Sequence, residues 1–188
     1  MLRLLARAAT VILGFSTCAT AAELDGVVMP DQRDIAGHHL VLNGMGIRTY
    51  SLLRVRVYVA GLYLQRRSDN SDMILNSDQP KMLEFAFLRD VAAEDARTSW
   101  RQALSLNCPA PCSIPPASIE RFLAAVPSVH AGDIGILLFH FRRMEFFMNG
   151  RPIGWVGDPS FVRVILATFI GPMPTSVELK RGLLNRTE

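Results

Sequence analysis

Between residues 53 and 64 the chain alternates. Leu53, Val55, Val57 and Val59 fall on one side, and Arg54, Arg56, Tyr58 and Ala60 on the other. A period of two predicts a strand with one buried face. Two neighbouring strands are predicted at 38–44 (HHLVLNG) and 81–90 (KMLEFAFLRD), the latter with Leu83, Phe85 and Phe87 on one side. Gly44 and Gly46 predict a tight turn ahead of the central strand. A short helix or turn is expected at 72–75. The period then changes. Ala96, Trp100, Ala103 and Leu104 recur at helical spacing, with acids in the first turn. Pro109 and Pro111 forbid continuation of that helix, and 116–126 (PASIERFLAAV) predicts a second one, ended by Pro127.

The segment 132–157 predicts a strand pair or meander, in which Asn149-Gly150 has the composition of a type I′ hairpin turn. In DPSFVRVILATFIG, Asp158 suits a helix cap, Pro159 the first helical position and Gly171 a left-handed end. Thr175 and Glu178 have capping-box spacing ahead of a last helix. The order is strands, two helices, strands, two helices. Hairpin-joined strands predict an α+β layered fold, an antiparallel sheet with helices gathered on one face.

The first 22 residues stand apart. Arg3 and Arg7 precede an apolar run at 8–15, and small residues end at Ala21-Ala22. That is the pattern of a secretory signal peptide with cleavage near Ala21 or Ala22, and it is short for a membrane span. An uncleaved anchor is the alternative. Cleavage leaves residues 23–188, the size of one domain with a sizeable core. It also removes two of the positive charges behind the formal net charge of +3. The remaining Lys and Arg are scattered, with no run longer than pairs such as Arg66-Arg67 and Arg142-Arg143, so no nucleic-acid partner is expected. No stable membrane insertion is expected after cleavage, and the expected location is the periplasm.

Cys18 leaves with the signal. Cys108 and Cys112 remain, four positions apart in a chain bound for an oxidising compartment, which predicts a disulfide. Half a metal site is the alternative, but no Cys or His cluster completes it. His38, His39, His130 and His140 read as structural or exposed, and no metal or cofactor is expected. No Ser-His-Asp order, phosphate-binding glycine loop or paired carboxylates can be supported. Pattern alone specifies no reaction.

Four segments carry a resemblance to a known family. They are LNGMGIR, VYVAGLYL, the span from HAGDIGILLFHF through FFMNGRPIGWVGDPSFVRVIL, and ATFIGPMPTSVELKRGLL. Together they resemble the chalcone isomerase-like family, and most closely its secreted bacterial branch. The resemblance implies an open-faced β-sandwich, a large antiparallel sheet covered by helices with a ligand cleft between. It also implies site residues. The plant isomerases use an arginine after a Gly-x-Gly motif, and Arg48 matches. They use a threonine in a Thr-Met-Ile-Gly run, and Thr168-Phe169-Ile170-Gly171 matches. Where they carry a threonine on the next strand, Tyr58 stands. Where they carry a tyrosine and an asparagine on a helix, Ala96 and Ala103 fall.

Those alanines weigh against the plant reaction. Charge builds on a ketone oxygen there, and each lost donor costs about 3 kcal/mol, around a hundredfold in rate. The family also has non-catalytic members that bind fatty acids through the arginine. A guanidinium fork matches a carboxylate, and an apolar cleft suits an acyl chain. The resemblance therefore implies a ligand site of Arg48, Tyr58, Thr168 and Phe169, with a fatty acid or similar amphipathic carboxylate as its small-molecule partner. No catalytic residue is assigned. An isomerase or lyase using Arg48, Thr168 and Tyr58 on an enone or phenol is one alternative, and an accessory protein with a closed cleft is another. Residue by residue, plainer roles stand beside these. Arg48 reads equally as a solvated charge or as the partner of Glu84 or Glu145. Thr168 can bond its own helix carbonyl, and Tyr58 can be a sheet residue with a wet hydroxyl.

Overall fold

The computed structural model describes residues 21–50, 54–140 and 142–186. The proposed signal segment up to residue 20, with Cys18, and Leu53 lie outside the described residues. Seven strands form one sheet in which every strand pairs antiparallel with its sequence neighbour: β3 (Gln32–Ile35), β4 (His38–Tyr50), β5 (Val55–Leu64), β6 (Lys81–Phe87), β7 (Ile134–His140), β8 (Arg143–Met148) and β9 (Arg151–Val156). A separate hairpin of β1 (Ala21–Leu24) and β2 (Val27–Pro30) precedes them. The helices among the described residues are α1 (Ser71–Asn76), α2 (Ala93–Asn107), α3 (Pro116–Ala124), α4 (Pro159–Ile170) and α5 (Val177–Leu183).

The sheet divides the interior into two apolar layers. One joins Ala60, Leu62, Leu83 and Phe85 to residues from all five helices, among them Ile74, Leu104, Phe122, Ile165 and Leu179. The other is built from strands, with Met29, Leu40, Leu42, Val59, Tyr63 and Met82 at its centre. The helices thus cover one face, as the sequence predicts, giving the α+β open-faced β-sandwich. The β1–β2 hairpin lies on the other face and supplies Met29. This corrects the expectation that the central strand buries one side. From Val59 to Leu64 every residue of β5 is buried, because both faces are covered there.

Gly44 and Gly46 are not a turn. Both lie inside the long strand β4, which carries an irregularity between Leu42 and Gly44. Their missing side chains make room for α5. A Cβ on Gly44 would sit 2.2 Å from the carbonyl oxygen of Gly182, and one on Gly46 would sit 2.5 Å from that of Leu179. Helix backbone rests directly on strand backbone at this point.

Two helix ends also differ from expectation. Gly171 has φ −75°, not a left-handed value, and its N–H donates to the Ala167 carbonyl. The cap of α5 is Ser176, whose hydroxyl accepts from the Leu179 N–H at 3.1 Å; Glu178 instead pairs with Arg54 at 2.8 Å. The cap of α4 is as predicted, with Asp158 accepting from the Phe161 N–H at 2.9 Å. Asn149 and Gly150 adopt φ of 50° and 75°, as a type I′ turn requires. Cys108 and Cys112 form a disulfide between α2 and α3. So short a loop gains only about 2 kcal/mol from chain entropy, and the bridge fixes the proline-rich turn.

Candidate functional site

Arg48 on β4 lies directly opposite Tyr58 on β5, and opposed residues of an antiparallel pair share a face. Both open onto a cavity of about 310 Å³ between the sheet and the helices. Its walls are largely apolar, with a cluster of aromatic rings. Tyr58 meets Phe85 and Phe87 edge-on at 5.3 and 5.8 Å. Phe169 of α4 joins Phe85 at 5.4 Å to Trp100 of α2 at 5.7 Å. Strand alternation aims Phe85 and Phe87 into this space, and helical spacing brings Trp100 over it. Trp100 reads in the sequence as core; it is also a wall of the cavity. Phe161 is core outright.

All four site residues implied by the resemblance line this cavity: Arg48, Tyr58, Thr168 and Phe169. Ala96 and Ala103 line it as well, so at these positions the wall is methyl groups and not hydrogen-bonding side chains. Neither carboxylate weighed as an Arg48 partner is used that way. Glu84 takes Arg33, at 2.6 and 2.9 Å, and Glu145 takes Arg143 at 2.8 Å and His140 at 3.2 Å. Among the described residues the Arg48 side chain makes no hydrogen bond and no ion pair. It is half-buried, so its guanidinium meets whatever fills the cavity or its mouth.

Burial pushes the Tyr58 hydroxyl up to about 12, against the opposing pull of the Arg48 charge. It therefore stays a neutral phenol near pH 7, able to donate a hydrogen bond and unable to serve as a phenolate. Thr168 is fully buried, and its hydroxyl donates to the Ile165 carbonyl at 2.7 Å, the helix-internal bond weighed from sequence.

Sequence reasoning missed Thr175. It enters the site because α5 leans on Gly44 and Gly46 and draws the preceding loop inward. Its N–H donates to the Thr168 carbonyl at 2.8 Å. The residue lines the cavity, while its own Oγ1 is buried without a hydrogen-bond partner among the described residues. A buried hydroxyl left unsatisfied costs about 1–3 kcal/mol. Its only sequence signal was a supposed role as a helix cap.

The histidines lie apart from this site. His39 bonds Asp34 at 2.8 Å and His130 lies 3.7 Å from Asp133. Among the described residues no group of three or more His, Cys, Asp or Glu is placed to hold a metal ion. No described helix is long and apolar enough to cross a membrane.

A search of curated proteins finds no match. Among solved structures, a fatty-acid binding protein of Arabidopsis thaliana superposes with a TM-score of 0.74. It covers 88% of this chain and 96% of its own, at 15% sequence identity, a likeness of fold. The family model described as chalcone isomerase-like matches residues 21–185. The chain belongs to the chalcone isomerase-like family.

Proposed function

We propose that this protein, exported to the periplasm, binds a fatty acid or another amphipathic carboxylate without transforming it, with the head group on Arg48. The observation that carries this is a half-buried guanidinium, without a protein partner among the described residues, at the wall of an apolar cavity of about 310 Å³. A carboxylate accepts two parallel hydrogen bonds from such a fork. The neutral Tyr58 phenol opposite is a further donor. The acyl chain then takes the place of water against Phe85, Trp100 and Phe169, at about 0.8 kcal/mol per buried methylene. The fatty-acid binding protein of the same fold supports this ligand class.

The isomerase or lyase alternative needs a group that moves a proton. Tyr58 holds its proton to about 12, and the Thr168 hydroxyl is spent on its own helix. This arrangement suits holding a negative charge better than proton transfer. An accessory protein with a closed cleft is disfavoured by the cavity itself.

The test is native mass spectrometry of the protein purified from its own host. The expected result is a chain starting near Glu23 that carries a mass released by solvent as a fatty acid or similar lipid carboxylate. A chain retaining Met1 in the membrane fraction overturns the export reading. A chain that stays bare after incubation with excess fatty acids overturns the binding reading.

A further inference from the structure

A second cavity, of about 300 Å³, shares no lining residue with the first. It lies where the loop after α1, the strand β6, the β7–β8 turn and the start of α4 meet. Its character is the reverse of the first cavity. Lys81, Arg142, Arg143 and Arg163 line it, against the single carboxylate of Asp78.

Two of these cations are already matched. Arg142 lies 3.6 Å from Asp78, and Arg143 pairs with Glu145 at 2.8 Å while stacking on Trp155. Lys81 and Arg163 have no carboxylate within ion-pair distance among the described residues. Lys81 is the more telling. It is only 5% exposed, on a strand whose neighbours are apolar. Its ammonium donates to the carbonyls of Ser77 at 2.6 Å and Gln79 at 2.9 Å, which leaves one N–H unassigned. Burial pulls its pKa down to about 8. Two carbonyl dipoles offset part of the cost of burying an ammonium, and an anion in the adjoining cavity would offset the rest. Arg163 stands exposed on α4, three residues after Ser160, and both line the cavity.

We infer that this second cavity binds a phosphate group, either free or on a phosphate-bearing lipid headgroup, with Lys81 at its floor and Arg163 at its rim. Donors from β6, α4 and the β7–β8 turn approach from several directions. That suits a tetrahedral oxyanion better than the planar carboxylate assigned to Arg48.

The experiment uses the mature protein at low ionic strength. Inorganic phosphate is titrated by calorimetry, and vesicles of phosphatidylglycerol and of phosphatidylcholine are tested by co-sedimentation. Arg163→Gln and Lys81→Met are compared with the remote Arg121→Gln and with Arg48→Ala. Saturable phosphate binding is expected, weakened about tenfold or more by Arg163→Gln and by Lys81→Met, and unchanged by the other two. Binding to vesicles alone, with the same dependence on Arg163, assigns the site to a lipid headgroup. If Lys81→Met does not fold, Arg163→Gln decides. The inference is overturned by no saturable binding of either probe, by equal losses in all the arginine variants, or by Arg163→Gln binding as wild type. Arg48→Ala separates this site from the fatty-acid site, since each can fail without the other.

Discussion

Shortening the ligand by one methylene at a time should lower its affinity in equal steps, once the chain is short enough to fit the first cavity completely. Each methylene transferred from water contributes about 0.8 kcal/mol, close to a fourfold change in dissociation constant. The cavity volume of about 310 Å³ sets where the steps end. With about 30 Å³ per group, the share of one water in the liquid and similar to a methylene, roughly ten methylenes fill it. Saturated carboxylates should therefore gain about fourfold per carbon up to about ten buried methylenes and then level off, because further carbons stay in solvent. Trp100 is the reporter, since it forms part of the wall. The other tryptophan, Trp155, is 65% exposed and lines neither cavity, so Trp155→Phe isolates the signal. An affinity independent of chain length, or one that climbs well past the break, refutes the assignment of the acyl chain to this cavity.

Three further outcomes are expected. Gly44→Ala should destabilise the fold by about 2 kcal/mol or more, because the new Cβ meets the Gly182 carbonyl oxygen at 2.2 Å; an unchanged denaturant midpoint would contradict the seating of α5 on β4. Lys81 sits at about 8 in the folded chain, below its ordinary 10.5, so the unfolded chain holds more protons between those values and stability should rise with pH there. Tyr58 and Tyr63, raised to about 12, oppose this above pH about 10. The comparison therefore belongs between pH 8 and 10, where wild type should gain stability relative to Lys81→Met; parallel curves would show that burial does not depress this lysine. Finally, with Ala96 and Ala103 in the cavity wall, a chalcone should cyclise no faster than it does unaided, and a clear rate enhancement in an absorbance assay would restore the enzyme reading.

The sequence revealed β5, β6 and the helices α2 to α5 through their periodicity or caps; it gave only the first half of β4, left α1 open as a helix or turn, and read β7 to β9 as a strand pair or meander. The strands β1, β2 and β3 were not legible. Segments such as AAEL and QRDI are four residues long and lack strong alternation. Pairing with β2 and β4 makes them strands. Gly44 and Gly46 looked like a turn because glycine is ambiguous: a missing side chain serves left-handed backbone or close approach. Only the position of α5, more than 130 residues later in the chain, decides for close approach. That Arg48, Tyr58, Thr168 and Phe169 share one cavity was legible through family resemblance alone. Physics alone left Arg48 open between solvent, Glu84, Glu145 and a ligand. The cavity was not legible, because an aromatic that fills a core and one that lines a hollow leave the same periodic trace, as Trp100 and Phe161 illustrate. Thr175 was hidden by a one-residue ambiguity in the cap of α5.

On the proposed function, Arg48 serves a ligand and not the fold. The direct measurement is fatty-acid affinity and thermal midpoint for wild type, Arg48→Ala and Arg48→Lys. The Arg48 side chain makes no hydrogen bond or ion pair among the described residues, so its removal should leave the midpoint nearly unchanged. Losing hydrogen bonds to a charged group costs about 1.5–3 kcal/mol, so affinity should fall about ten- to a hundredfold. Arg48→Lys should recover part of this, because an ammonium keeps the charge and lacks the fork. An Arg48→Ala protein that binds fatty acid as wild type does, or that unfolds at a markedly lower temperature, contradicts the account.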